Sequence, residues 1–142
     1  MNVTEIPFNQ SLGLELAPPG SDFILTLPEN PALQNHIGTV IAAAQFALAE
    51  AASGEFLLQH LGRETNGVFA ALRHAEVKYR RAAHGELRAR GRLESGTPGE
   101  LLATLERQGR AMPSIQIEVL DASGELVMTG RYDWLLQRDK GR

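Results

Sequence analysis

Between Asn35 and Gly54 the chain reads NHIGTVIAAAQFALAEAASG, an apolar, alanine-rich helical stretch with one carboxylate, Glu50, about midway along its small-residue face. An acid in such surroundings is exposed, paired or in use. A mostly dry pocket would raise its pKa toward neutrality by desolvation, which suits a general base that takes a proton from water, or a nucleophile that attacks a carbonyl carbon. The start of the helix offers the complementary chemistry. Its first amides have no acceptor within the helix and lie at the positive end of the macrodipole, so the N–H groups near Ala42 or Ala43 would polarise a carbonyl oxygen. Asn35, just ahead of the helix, would orient the water or the carboxylate through its side-chain amide. Each residue also has a plain structural reading: glutamate most often sits solvated on a helix edge, and asparagine before a helix is often a cap or turn residue.

The other polar groups are less pointed. Arg80, Arg81, Arg88, Arg90 and Arg92 offer phosphate contacts, above all Arg80 and Arg81, yet Arg88, Arg90 and Arg92 at alternate positions also describe the solvent face of a strand. His36, His60, His74 and His84 lie far apart without helical metal-ligand spacing, which argues against a zinc site, and no metal is expected. The chain has no cysteine, so a disulfide framework and a thiolate nucleophile are both excluded. A formal charge of -3 gives no general attraction to nucleic acid or to an anionic membrane, and neither is expected as a partner. The N-terminal MNVTEIPFNQ lacks a basic start and an apolar signal core, and no apolar run has the length of a membrane span. The expected protein is soluble and cytoplasmic.

The elements that must position these residues follow from periodicity. A lead-in over 1–11 precedes a first strand, LGLELAP, closed by Pro18, Pro19 and Gly20. Phe23, Leu25 and Leu27 alternate with Ile24 and Thr26 in a second strand, forming a hairpin with the first. The long helix is expected to start near Gly38 or Thr39 and to run to about Leu61, where Gly62 supplies a stop. Ala75, Val77 and Tyr79 then form the dry face of a strand whose wet face is His74, Glu76, Lys78 and Arg80; Leu87, Ala89, Gly91 and Leu93 do the same in the next. A short amphipathic helix around Glu100 to Arg107 precedes a final hairpin, in which Ile115, Ile117 and Val119 alternate with polar residues, DASGE turns the chain, and Leu126 to Leu136 returns. A frayed tail is expected from about 137 to 142. Phe46, Phe56, Phe69 and Trp134 are expected in the core or an interface. The length of 142 residues suits one domain over 1–142. Two strands, one long helix and four strands make an α+β architecture, an antiparallel sheet of about five to six strands wrapped around one central helix. With strand edges left open, such a domain is expected to pair with a copy of itself.

This pattern, with the residues of the helix start, resembles the hotdog-fold superfamily, in particular its phenylacetate-pathway-like acyl-CoA thioesterases, over roughly Leu12 to Leu136. In those proteins a motif N-x-x-G-T-x-H-G-G opens the hotdog helix and an Asp or Glu follows later on it. Here Asn35, Gly38 and Thr39 match and Glu50 falls at the acidic position. Ile41 stands where the family has its histidine, and Ala42 and Ala43 replace the two glycines, which marks a divergent subgroup. Arg80, Arg81 and Ala82 fall at a bend the family carries between two strands, with Gly85 just after it.

The resemblance implies hydrolysis of an acyl thioester to free acid and coenzyme A, with coenzyme A as part of the substrate and no other cofactor. It implies that Glu50 acts as base or nucleophile across a dimer interface, assisted by Asn35, and that Gly38, Thr39, Ile41, Ala42, Ala43, Arg80 and Arg81 contact the substrate. Two dimers joining into a tetramer is a further possibility. The departures at 41–43 keep open a protein that binds a thioester or small apolar ligand without turnover. A dehydratase is the third reading, since His36 and Glu50 lie fourteen residues apart, similar to the spacing of the histidine and glutamate of hotdog acyl-carrier-protein dehydratases.

Overall fold

Ala44, Ala47, Leu48, Ala51 and Ala52 recur at helical spacing, and all five are buried in the computed structural model, which describes residues 2–139 apart from the side chains of Arg63 and Glu64. They lie on α2, Ala42–Leu61, the long central helix of the fold. The short side chains of the four alanines let an antiparallel sheet curl closely around it. At its end the amide of Gly62, with φ of 55°, donates to the Leu58 carbonyl, so the glycine stop falls where the sequence places it.

Before α2 come α1 (Pro7–Leu12), β1 (Glu15–Leu16) and β2 (Leu25–Leu27); after it come β3 (Val68–Tyr79), β4 (Leu87–Leu93), α3 (Pro98–Gln108), β5 (Arg110–Ala111), β6 (Ser114–Leu120) and β7 (Leu126–Arg138). The strands form one antiparallel sheet in the order β1-β2-β4-β6-β7-β3, with β5 paired to β7. This is the hotdog fold, with seven strands among the described residues where five to six were expected; the strand not foreseen is β5, two residues long and too short for a periodic signal. The core lies between the inner face of the sheet and α2. Leu25, Leu87, Ala89, Ile115 and Val119 are wholly buried there, each contributing apolar area removed from water.

Several boundaries differ from the sequence expectations, among them β2, which starts at Leu25 and not Phe23, and α3, which opens at Pro98 and not Glu100. The stretch expected as lead-in is helical: an Asn2 capping box starts a 3-10 turn over Val3–Glu5, Pro7 opens α1, and Gly13 ends it at φ 79°, so Leu12 and Gly13 belong to the helix and not to the first strand. α2 begins at Ala42 and not at Gly38 or Thr39, because residues 34–41 hold an extended loop: Gln34 bridges Val40, the Val40 amide donates to Ala83 and the Ile41 amide to Leu33. β3 starts at Val68 and pairs with β7 along its whole length, with a bulge between Leu72 and His74. β7 extends through Gln137 and Arg138, which pair with Phe69 and Val68; residues 140–142 of the expected tail lie outside the described residues.

The long β3 is an edge of the sheet, and this changes which of its residues are dry. Ala75 and Val77 are half-buried, but Tyr79 is 44% exposed, against the expectation of a dry face; Phe69, expected in the core or an interface, is 56% exposed and so lies outside this chain's core. Among the described residues no helix is long and apolar enough to cross a membrane.

Candidate functional site

Two groups of residues stand out along α2 and at its entry. The first surrounds Glu50. Its backbone is held from both ends of the next turn: Ser53 Oγ donates to the Glu50 carbonyl at 2.6 Å, and Trp134 Nε1 on β7 donates to Ser53 Oγ at 2.9 Å. The side chain is half-buried and has neither a hydrogen bond nor an ion pair among the described residues, and desolvation holds its pKa above the ordinary glutamate value of 4.5. Nearby Tyr132 is fully buried, packs edge-on against Phe46 with ring centroids 5.4 Å apart, and donates its hydroxyl to the Phe46 carbonyl at 3.3 Å. Burial, then the neighbouring Tyr79, then the charge of Glu50 push the Tyr132 pKa far up, so its hydroxyl stays a neutral donor. Gly130 gives that ring its space: a methyl group there would stand 2.7 Å from Tyr132 Cε2.

The second group is the loop that enters α2. Asn35 organises it: Oδ1 accepts from the amides of Ile37 and Thr39, both at 3.0 Å, and Nδ2 donates to Thr39 Oγ1 at 2.8 Å. Gly38 completes the turn at φ 79°, a conformation that L side chains rarely adopt. Thr39 is buried, while Ile37 and Ile41 are 67% and 40% exposed. Ile41 is the N-cap, with no side-chain capping bond, so the amides of Ala42 and Ala43 point out of the helix without an acceptor among the described residues. The later helix start thus places free amides at the two residues singled out for them.

An open hollow of about 390 Å³ at this entry is lined by Asn35, Thr39, Ala42 and Gln45 on one side and by Tyr79, Arg80 and Arg81 on the other. Arg80 is tied by Nε to Thr129 Oγ1 at 3.1 Å, and Arg81 faces Glu125 at 3.7 Å with both side chains exposed. Glu50 does not line this hollow: eight residues of helix separate it from Ala42, about 12 Å along the axis. His36 is exposed on the loop and stays outside the hollow. Arg88, Arg90 and Arg92 stand on β4, where Arg88 lies 4.4 Å over the Phe23 ring and Arg90 pairs with Glu118 at 3.0 Å.

Sequence reasoning did not single out Gln45, Tyr79 or Tyr132 for the site. Gln45 carried a signal, being the one polar residue between Val40 and Glu50; the tyrosines carried none, because their meeting depends on β3 and β7 being neighbours. The buried acid of α2 was also missed. Glu55 is 5% exposed and is spoken for by the Val3 amide at 3.1 Å and Gln59 Nε2 at 3.3 Å, so it fastens the N-terminal turn.

The family model described as "Domain of unknown function (DUF4442)" matches residues 5–136. Among solved structures, a Pseudomonas aeruginosa protein of unknown function described as a probable thioesterase is 26% identical, with 96% of this chain and 91% of that one covered at a TM-score of 0.81. A Haemophilus influenzae thioesterase is 17% identical over 99% of this chain and 90% of its own, at a TM-score of 0.73. A Bacillus halodurans protein solved with CoA is 18% identical over 88% of this chain and 72% of its own, at a TM-score of 0.67. No curated protein matches the chain.

Proposed function

The chain belongs to the DUF4442 family and has the hotdog fold of the thioesterase superfamily, and from that premise we propose that it hydrolyses an acyl thioester, with coenzyme A as the thiol carrier, to free acid and thiol. The single observation that carries the reading is Glu50: a half-buried carboxylate without a hydrogen-bond or ion-pair partner among the described residues, its pKa raised by desolvation, on the helix whose start presents the unpartnered amides of Ala42 and Ala43. Another acid in the same helix, Glu55, has its partners, whereas Glu50 has none among the described residues.

In the proposed reaction the thioester carbonyl oxygen sits against the Ala42 and Ala43 amides, where its charge is stabilised as it develops. Glu50 takes a proton from water as the water oxygen bonds to the carbonyl carbon. Collapse of the tetrahedral intermediate breaks the C–S bond, and the departing thiolate receives the proton from the Glu50 carboxyl. Direct attack by the Glu50 oxygen, followed by hydrolysis of the resulting anhydride, uses the same geometry. Asn35 acts in this scheme by shaping the loop that aims the amides, since its carbonyl oxygen is already occupied twice.

About 12 Å of helix separates Glu50 from the amides of its own chain, so the site is completed between two copies. The β3 edge and the exposed Ile37, Ile41, Phe69 and Tyr79 support that pairing. We place the Arg80 and Arg81 charges at the outer rim of the hollow toward the carrier's phosphates. A competing reading, a protein that holds a thioester or small apolar ligand without turnover, draws on Ile41, which sets an exposed apolar side chain at the N-cap.

Release of free thiol from short, medium, long and aryl acyl-CoAs tests the proposal against Glu50→Ala. Turnover that falls on the order of a hundredfold or more in the variant supports it. Tight binding without release by pure wild type would favour the ligand-binding reading, and hydration of a crotonyl thioester lost in His36→Ala would favour a dehydratase.

A further inference from the structure

The floor of the hollow at the helix entry holds an acceptor with no donor. Gln45 is 4% exposed, its Nε2 donates to the Val40 carbonyl at 3.0 Å, and its Oε1 is buried with no hydrogen-bond partner. The bond to Val40 fixes which end is which: a flipped amide would set Oε1 against a carbonyl oxygen, and two acceptors cannot bond each other. The orphan is therefore the oxygen. A buried acceptor without a donor costs stability, and an apolar side chain among the neighbouring alanines would avoid that cost. Gln45 lines the same hollow as Ala42, Tyr79 and Arg80.

A thioester carbonyl cannot satisfy Gln45, being an acceptor itself. The missing partner is an N–H or O–H donor. Gln45 stands three residues beyond Ala42 on the same helix, about 4.5 Å along the axis. A carbonyl held over the Ala42 amide has its sulfur alongside, and in an aminoethanethiol-type arm an amide N–H follows the sulfur after a single ethylene spacer. The arm then continues to the rim, where Arg80 and Arg81 stand.

On the acyl-thioester reading given above, we propose that Gln45 is a specificity-determining residue whose Oε1 accepts a hydrogen bond from the first amide N–H of the thiol arm, so that the protein selects thioesters of amide-bearing carriers over those of simple thiols.

The test uses the full chain and two pairs of small probes. One pair is an acyl thioester of N-acetylcysteamine and the same thioester with its amide nitrogen methylated. The other is the corresponding pair of unreactive thioethers, read by equilibrium binding. Wild type is expected to favour the N–H member of each pair by about tenfold or more, the scale of a polar group left unpaired in a closed site. Gln45→Met, similar in length and apolar, is expected to bring both ratios to about one; a merely structural role for Gln45 would lower both members together and leave the ratios unchanged. A wild type that does not distinguish the thioethers overturns the assignment whatever it hydrolyses, as does a preference that persists in Gln45→Met, which would mark simple steric rejection of the methyl group. Discrimination between the thioethers that disappears in Gln45→Met, in a protein that hydrolyses neither thioester, upholds Gln45 while removing the hydrolase reading. Selection instead for a hydroxyl on the acyl group, abolished in Gln45→Met, overturns the assignment to the arm.

Discussion

Glu50 and Glu55 stand five residues apart on α2, so their side chains leave the helix about 140° apart and meet different surroundings. Glu55 reaches back to the N-terminal turn and is fully partnered by Val3 and Gln59; Glu50 faces the Tyr132 and Phe46 side, half-buried, with no partner for its charge. Burial depth alone would single out Glu55, the acid whose oxygens are already occupied. What separates them is whether the lone pairs are occupied.

Replacing Glu50 by glutamine is expected to lower kcat/KM for thioester hydrolysis by about 10²–10⁴, the scale of a removed general base. Stability should move the other way. In the folded state the Glu50 pKa is raised, so the native protein binds more protons than the unfolded chain between the ordinary value of 4.5 and the raised one. Its penalty is absent below the unfolded pKa, grows as pH rises through the window, and is complete above the folded pKa. Thermal melts of Glu50→Gln and wild type should therefore show a higher Tm for the variant at neutral pH, and the difference should vanish below pH 4.5. A variant that melts lower at every pH would assign Glu50 a structural role.

The same shift predicts the pH–rate profile. Only ionised Glu50 accepts a proton from water, so kcat/KM should climb along an acid limb whose midpoint lies above 4.5. Tyr132 and Tyr79, the titratable neighbours, remain neutral through that range because desolvation raises both. A limb at or below the ordinary carboxylate value, measured with a substrate stable over the whole range, would count against Glu50 as the base.

Asn35 makes three side-chain hydrogen bonds within its own loop. At about 0.5–1.5 kcal/mol net for each, Asn35→Ala should cost roughly 1.5–4.5 kcal/mol in denaturant unfolding. Asn35→Asp keeps the oxygen that accepts from Ile37 and Thr39 and loses only the donation to Thr39 Oγ1, so it should fall well short of that loss. If the loop serves to aim the Ala42 and Ala43 amides, kcat should track this order. Equal stability of all three proteins would show that the loop holds without Asn35.

These results mark what a single sequence carries. The curled sheet around α2 was legible because its signals are local: alanines and Leu48 at helical spacing, Gly62 after the last turn, alternation along β4 and β6. The start of α2 was misplaced by about one turn because its competitor is tertiary, the extended loop tied to Leu33 and Ala83. Alternation foresaw Ala75, Val77 and Tyr79 on one face of β3, but it does not say which strand lies at an edge, and Tyr79 is open for that reason. The grouping of Asn35, Thr39, Ala42, Arg80 and Arg81 at one hollow follows the motif; Gln45 does not, since nothing local distinguishes an orphan acceptor from a satisfied one.

Gly130 sits directly beneath a ring that the site depends on. A methyl group there would approach Tyr132 Cε2 to 2.7 Å and Val77 Cγ1 to 3.2 Å. The Tyr132 ring is buried and held by its bond to Phe46, so it has little room to yield. Gly130→Ala should destabilise by about 1–3 kcal/mol, the usual cost of overpacking, and weaken activity by displacing the wall beside Glu50. Unchanged unfolding free energy would show that the sheet shifts freely at this point.

The most demanding prediction concerns whether one chain can work alone. Ala42→Pro removes one of the two free amides and little else: proline is tolerated at the first helical position, and Ile41 before it already lies at φ −62° and ψ 142°, the extended region a following proline requires. The variant should keep its Tm within a few degrees and lose on the order of 10²–10³ in kcat, the effect of deleting one oxyanion donor. Glu50→Gln should lose activity for the complementary reason. If the amides of one copy serve the carboxylate of the other, then unfolding the two variants together and refolding them must produce mixed pairs in which one of the two sites has both an intact helix start and an intact acid. Such a mixture should regain a substantial fraction of wild-type turnover, whereas each variant refolded alone should not. Were the site built within a single chain, every chain in the mixture would still carry one lesion, and no activity would return whatever the proportion of the two.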